Sequence, residues 1–178
     1  MKKNILFILT GSIAAYKACY AISHLVKSGH SVKTAVSKNA LNFIGQATLE
    51  GLSGKTVYKD LFEKEENIEH ISLSKWADIT VFCPTSANVI NKMAAGIGDD
   101  CATTIFLSHN FDKPCVAVPA MNEKMYTHPA TKKALKTLAD WGVLVMPAAI
   151  GRQACGDIGP GKMPEPEDII KYLEPLLK

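Results

Sequence analysis

Five short strand-like segments, at residues 5–9, 32–36, 79–83, 115–118 and 143–146, constrain the fold of this chain more than any other feature. The first is apolar throughout rather than alternating, so a strand built from it has no face to offer to water. Strands of that kind belong in a parallel sheet covered on both sides. Between the runs the apolar spacing becomes helical, over residues 14–26, 66–76, 86–95, 101–107, 129–141 and 166–177, with Ser28-Gly29-His30 ending the first of these segments. Alternation of this sort predicts an α/β protein with a doubly wound parallel sheet. The 178 residues provide for a single domain, 1–178, since two domains at roughly 100 to 200 residues each would not fit.

The start, Met1-Lys2-Lys3-Asn4-Ile5, has the charge of a secretory leader, but Thr10-Gly11-Ser12 breaks the apolar run behind it after residue 9. It reads as a buried first strand. No run approaches the ~20 apolar residues of a membrane span, so no membrane association is expected. The net charge of +3, on scattered lysines, leaves no nucleic-acid footprint but allows small anionic ligands. The five cysteines form no CxxC pair, and Cys19, Cys83, Cys101 and Cys115 lie in apolar patterns. That usage predicts a reduced, cytoplasmic setting, and no His, Cys or Asp spacing points to a metal.

Cys155 stands apart. It lies in Gly151-Arg152-Gln153-Ala154-Cys155-Gly156-Asp157-Ile158-Gly159-Pro160-Gly161-Lys162-Met163, a segment expected to be an irregular loop because of its glycine and proline content. A thiol on a loop with cations nearby has the surroundings of a reactive cysteine; the plainer alternative is an incidental loop thiol.

In open parallel sheets, ligands bind beyond the carboxyl ends of the strands. Four strand ends here lead into Thr10-Gly11-Ser12, Ser37-Lys38-Asn39, Pro84-Thr85-Ser86-Ala87-Asn88 and Pro119-Ala120-Met121-Asn122. Small hydroxyl, amide and backbone donors gathered at one edge predict a cradle for a phosphorylated cofactor. Neither GxGxxG nor GxxxxGK[ST] is present, which favours a mononucleotide with one phosphate and a large polar ring over NAD or ATP. Ser12 and Ser86 also read as helix N-caps.

Taken together, Gly11-Ser12-Ile13-Ala14-Ala15-Tyr16-Lys17, His70 within Glu69-His70-Ile71-Ser72-Leu73, the Pro84 and Pro119 segments and Ala154-Cys155-Gly156 make the chain similar to the flavin-containing cysteine decarboxylases. The similarity runs in order from about residue 5 to 163. It implies a Rossmann-like flavoprotein fold with FMN at subunit contacts of a homo-oligomer, a trimer or a dodecamer of trimers. FMN would be held by Gly11, Ser12, Ile13, Ser37, Lys38, Asn39, Ser86, Ala87, Asn88, Val89 and Ala120. Substrate would meet Asn122, Arg152, Gln153 and Ala154 beneath a covering loop at about 148–163, with His70 and Cys155 catalytic. Two positions depart from the family pattern, Val89 in place of threonine and Lys162 in place of arginine.

The activity implied by the resemblance is decarboxylation of 4′-phosphopantothenoylcysteine to 4′-phosphopantetheine in coenzyme A biosynthesis. A simple C-terminal cysteine cannot lose CO₂ without an electron sink. In the family mechanism the cysteine side chain is first oxidised at the flavin to a thioaldehyde, whose C=S accepts the electrons as CO₂ leaves, and the resulting ene-thiol is then reduced. His70 would assist the first half, Asn122 would hold the carboxylate as a neutral donor, and Cys155 would protonate the ene-thiol. With the sequence ending at Lys178, a separate synthetase is expected to supply the substrate. The alternative is a peptidyl-cysteine oxidative decarboxylase of peptide-antibiotic maturation, which stops at the ene-thiol. A non-catalytic flavin-fold regulatory subunit and a flavin prenyltransferase are further readings. In plainer terms, His70 would be a surface residue and Asn122 a turn or cap. His24, His30, His109 and His128 read as structural or solvent-exposed, and Trp76 and Trp141 as packing residues.

Overall fold

The computed structural model describes residues 2–60 and 69–178. In chain order its elements are β1 (Asn4–Leu9), α1 (Ala15–Lys27), β2 (Ser31–Val36), α2 (Gln46–Ser53), α3 (Glu69–Trp76), β3 (Ile79–Thr85), α4 (Ala87–Ala95), α5 (Cys101–Leu107), β4 (Cys115–Pro119), α6 (Glu123–Thr127), α7 (Pro129–Asp140), β5 (Leu144–Val145), β6 (Ala149–Arg152), β7 (Ile158–Lys162) and α8 (Pro166–Leu173). The first five strands form one parallel sheet in the order β2-β1-β3-β4-β5. The chain moves outward from β1 in one direction and then, from β3, in the other, which creates a topological switch point between β1 and β3.

The winding explains the continuous apolar runs. Along β1, Ile5, Phe7 and Leu9 pack beneath α1, α2 and α8, while Leu6 and Ile8 pack beneath α3, α4, α5 and α7. Neither face of the strand meets water, and all five side chains are fully buried. Phe82 of β3 meets Phe106 of α5 edge to face at 5.9 Å on the second side. Among the described residues no helix is long and apolar enough to cross a membrane.

Each segment read as a strand or helix is found where expected. The helix read over 166–177 ends at Leu173 and tightens into a 3-10 turn, Glu174–Leu177. Residues 66–68 of the helix read over 66–76, and the charged run Glu63-Lys64-Glu65-Glu66, lie outside the described residues. The sequence reading passed over α2 and α6. The first carries a glycine and buries only Leu49 and Ser53, and the second is five residues long with no buried side chain.

At the carboxyl edge two fully buried threonine hydroxyls join the strand ends. Pro84 has no N–H to donate, and the β3–β4 register shifts between Phe82 and Thr85. The Thr85 hydroxyl repairs the break by donating to Phe82 O at 2.7 Å and accepting from Val118 N at 3.2 Å. Thr10 does the same across β1 and β3: its hydroxyl donates to Pro84 O and accepts from Ser86 N, both at 2.8 Å.

The segment expected to be an irregular loop is instead an antiparallel ribbon, with Gly151 opposite Gly159 and Arg152 opposite Ile158. Its glycines serve close approach. At Gly161, φ is +112° and an added Cβ would lie 2.7 Å from Met121 O, whose own N–H donates to Gly161 O at 2.9 Å. At Gly159 a Cβ would overlap the Glu123 carboxyl. The ribbon therefore lies against residues 121–123, and its far end is tied down by charge. The buried Lys17 ammonium donates to Met163 O at 3.3 Å and pairs with Glu165 at 2.8 Å, while Lys162 pairs with the same carboxylate at 3.1 Å. A lysine so placed is tolerated because it is paired and hydrogen-bonded.

The Thr85→Val variant keeps the shape and leaves Phe82 O and Val118 N unpaired, so it should lose about 1–3 kcal/mol of stability, read as a lower urea midpoint at unchanged slope. An unchanged midpoint would show that the ladder closes without the hydroxyl. Lys17 first, and Lys162 second, hold the Glu165 carboxyl below the usual carboxylate range. The folded state thus binds that proton less readily than the unfolded chain. The contribution to stability is complete above the ordinary carboxylate pKa and is lost as pH falls through the lower folded value. Glu165→Gln should therefore have a lower urea midpoint than wild type at neutral pH, with the gap closing in acid; a gap independent of pH would contradict the tether.

Candidate active site

Two cavities open along this edge, one lined by Gly11 and the other by its neighbour Ser12. The smaller, of about 120 Å³, is polar and lined by Gly11, Ser37, Lys38, Asn39, Ser86, Asn88 and Val89, together with Lys92, Asp99 and Asp100. Seven of the residues expected to hold the cofactor thus surround one space. Gly11 is required there because a Cβ would stand 3.0 Å from that of Asn39 on the opposite wall. Ser86 lines the cavity and also caps α4, accepting from Val89 N at 3.4 Å. Ser12, also read as an N-cap, instead accepts from Ala14 N at 3.3 Å in the turn before α1, whose N-cap is Ala14 without a side-chain bond. The two carboxylates at the rim have partners of their own. Lys92 pairs with Asp99 at 2.7 Å and holds its carboxyl below the usual range, and Asp100 caps α5 in a reciprocal pair with Thr103. Ala87, also expected at the cofactor, lies outside this cavity in a groove shared with α6 and α7.

The larger cleft, of about 630 Å³, is lined by Ser12, Ile13, Ala120, Asn122, Arg152, Gln153, Ala154 and Cys155, and additionally by Tyr16, Lys17, Met121 and Met163. Its floor comes from α1 and the loop after β4, and its wall from the β6–β7 ribbon. Asn122 is the N-cap of α6: its Oδ1 accepts from Lys124 N at 2.8 Å, which turns Nδ2 toward the ribbon. There Nδ2 donates to Cys155 Sγ at 2.9 Å. Asn122, expected to hold the carboxylate, and Cys155, expected to donate a proton, are therefore in contact although 33 residues apart in sequence.

Burial pushes the Cys115 thiol up to about 12, and those of Cys83 and Cys19 up as well, whereas Cys155 is exposed at the tip of the ribbon. Gln153 is placed differently from a simple substrate ligand. Its Oε1 accepts from Glu123 N and its Nε2 donates to Pro160 O, both at 2.9 Å, so its side chain stitches the ribbon to α6. The sequence reading missed Asp157, whose carboxylate lies 3.4 Å from both Cys155 Sγ and Asn122 Nδ2, and it missed the role of Lys17. The i, i+2 spacing across a Cys-Gly-Asp turn was the available signal for Asp157.

His70 is not brought to this group. It is half-buried on α3, its carbonyl accepts from the Ser74 and Ser108 hydroxyls at 3.0 and 3.1 Å, and it lines neither cavity. Of the other histidines, His30 and His109 accept backbone N–H groups from Lys3 and Phe111, and His128 caps α7.

The family described as Flavoprotein matches residues 1–178. The coenzyme A biosynthesis bifunctional protein CoaBC of Bacillus subtilis (strain 168) is 41% identical over 175 residues, covering 97% of this chain and 42% of the relative. The chain thus spans about two fifths of the length of that curated relative. Among solved structures, a cysteine-to-serine mutant of PPC decarboxylase complexed with pantothenoylaminoethenethiol superposes with a TM-score of 0.88 at 32% identity, covering 98% of this chain and 97% of the other. The FMN binding protein AtHal3 superposes with a TM-score of 0.85 at 33% identity, over 98% and 96% of the two chains. An apolar doubly wound sheet, a polar cradle at its switch point and a match over the full length make this chain a member of the Flavoprotein family.

Proposed function

We propose that this chain is an FMN-dependent phosphopantothenoylcysteine decarboxylase, converting 4′-phosphopantothenoylcysteine to 4′-phosphopantetheine in coenzyme A biosynthesis. The observation that carries the reading is the 2.9 Å contact between the Asn122 amide and the Cys155 thiol on the wall of a cleft that lies beside a polar cavity at the switch point. The likeness to CoaBC and to PPC decarboxylase supports it.

The residues fit FMN on two counts. The small cavity has no side chain at Gly11, and its hydroxyls, amides and the start of α4 suit a phosphate. The adjoining cleft offers Ile13, Ala14, Ala120, Met121 and Met163 to a planar ring. Gly11, Ser37, Lys38, Asn39, Ser86, Asn88 and Val89 would hold the phosphate side, and Ser12, Ile13 and Ala120 the ring side. Bound FMN supplies the hydride acceptor and donor that a cysteine carboxylate lacks.

The chain's own residues then divide the remaining work. Asn122, fixed as a helix cap, offers an uncharged donor to the substrate carboxylate, so departing CO₂ leaves no strong ion pair behind. Arg152, on the ribbon, brings positive charge to a phosphorylated substrate, and Ala154 leaves room beside Cys155. Cys155 delivers a proton to the ene-thiol carbon. His70 lies away from the cleft of its own chain, so we read the complete site as shared between subunits of a trimer or a dodecamer of trimers, in the cytoplasm. Exposed Ile13, Tyr16 and Tyr20 around the cleft, and Ile71 and Leu107 near His70, are apolar surfaces that such contacts would cover.

With FMN and 4′-phosphopantothenoylcysteine the purified protein should release CO₂ and form saturated 4′-phosphopantetheine in equal amounts, and absence of turnover would sink the reading. Cys155→Ser should still release CO₂ while its yield of saturated thiol falls about a hundredfold and the ene-thiol accumulates. Wild-type protein that itself stops at the ene-thiol would place the chain with the peptidyl-cysteine decarboxylases.

A further inference from the structure

Besides the Asn122 donor, Cys155 has two acceptors, the shorter being Asp157 and the longer Gln153 Oε1 at 3.9 Å, which is already taken by Glu123 N. The Asn122 amide donates to sulfur, which leaves the S–H free to be directed elsewhere. It is directed to Asp157, whose Oδ2 lies 3.4 Å from Sγ and accepts the thiol proton. The same Oδ2 lies 3.4 Å from Asn122 Nδ2, so three side chains share one small triangle at the ribbon tip. The turn fixes its shape: Gly156 has φ +94°, Gly156 N donates to Gln153 O at 2.9 Å and Gln153 N to Asp157 O at 2.8 Å. The lysines lining the cleft, Lys17 and Lys162, are paired with Glu165, so the full charge hydrogen-bonded to the sulfur is that of Asp157.

We infer that Asp157 is a positioning residue for Cys155, accepting its S–H and holding the sulfur in place until the ene-thiol stands in the cleft. The inference rests on the decarboxylase reading and deepens it. The step it serves is balanced: the ene-thiol C=C becomes C–C by taking one hydride supplied by reduced FMN and one proton from Cys155, and the thiolate left behind regains its proton from water. The Asp157 carboxylate holds the S–H as its acceptor, and the neutral amide of Asn122 remains a donor to the sulfur once the proton has gone.

Two measurements on Asp157→Asn, with Asp157→Glu as the conservative control, test this. Alkylation of Cys155 by iodoacetamide, mapped by mass spectrometry, needs the thiolate and should be severalfold faster in Asp157→Asn than in wild type or Asp157→Glu. In turnover, Asp157→Asn should release CO₂ at close to the wild-type rate while its ratio of saturated thiol to ene-thiol falls about tenfold, the scale of one hydrogen bond to a charged group; Asp157→Glu should restore the ratio. Unchanged alkylation with an unchanged ratio overturns the inference. So does an equal loss of CO₂ and saturated thiol, which would mean that Asp157 acts through Asn122 or the fold. If wild type releases no CO₂, the decarboxylase reading fails, and the alkylation difference still decides whether Asp157 controls the thiol.

Discussion

The buried hydroxyls of Thr10 and Thr85 hold together the edge on which everything else is assembled. A parallel sheet that reverses its winding must let the loops after β1 and β3 diverge, and a proline in β3 removes one donor from the ladder at that place. The two threonines supply the missing connections from side chains. They tie β1 to β3 and β3 to β4 where the register shifts, alongside the backbone bonds from Thr10 N to Pro84 O and from Ala120 N to Thr85 O. As a result Gly11 lines one cavity with Ser86 and Asn88, and Ser12 lines the cleft next to it.

The wall of the larger cavity follows a different logic. A segment with glycine at 151, 156, 159 and 161 looks built for movement, yet here glycine serves proximity. Side chains at 159 and 161 would collide with Glu123 and with the backbone at Met121, so their absence lets a two-stranded ribbon lie directly on the start of α6. Gln153 and the Lys17–Glu165–Lys162 cluster then fasten it at both ends. Cys155 is presented by a secured scaffold, which suits the proton donor we propose better than a freely moving loop would.

Much of this was legible in the sequence, for a physical reason. Runs such as residues 5–9 are apolar because both faces of the sheet are covered, so a local pattern carried global information. The strand-end residues were legible because a parallel sheet puts all its carboxyl ends on one edge. The ribbon was not, because pairing between residues 149–152 and 158–162 depends on what the glycines pack against, and composition does not encode that. Lys17 was hidden in the same way: its burial is compensated by Glu165, distant in sequence. The separation of His70 on α3 from Cys155 on the ribbon is set by tertiary packing, which local sequence patterns do not express. Asp157 was overlooked because its importance lies in a sulfur two residues away across a turn.

The central claim is that the small polar cavity receives a phosphate and the cleft beside it receives a flavin ring. Titration of the purified protein with FMN and, separately, with riboflavin, followed by quenching of flavin fluorescence, tests it most directly. The account predicts that FMN binds at least about a hundredfold more tightly than riboflavin, the scale of losing two or more hydrogen bonds to a charged group. Equal affinity for the two, or binding of neither, would contradict it.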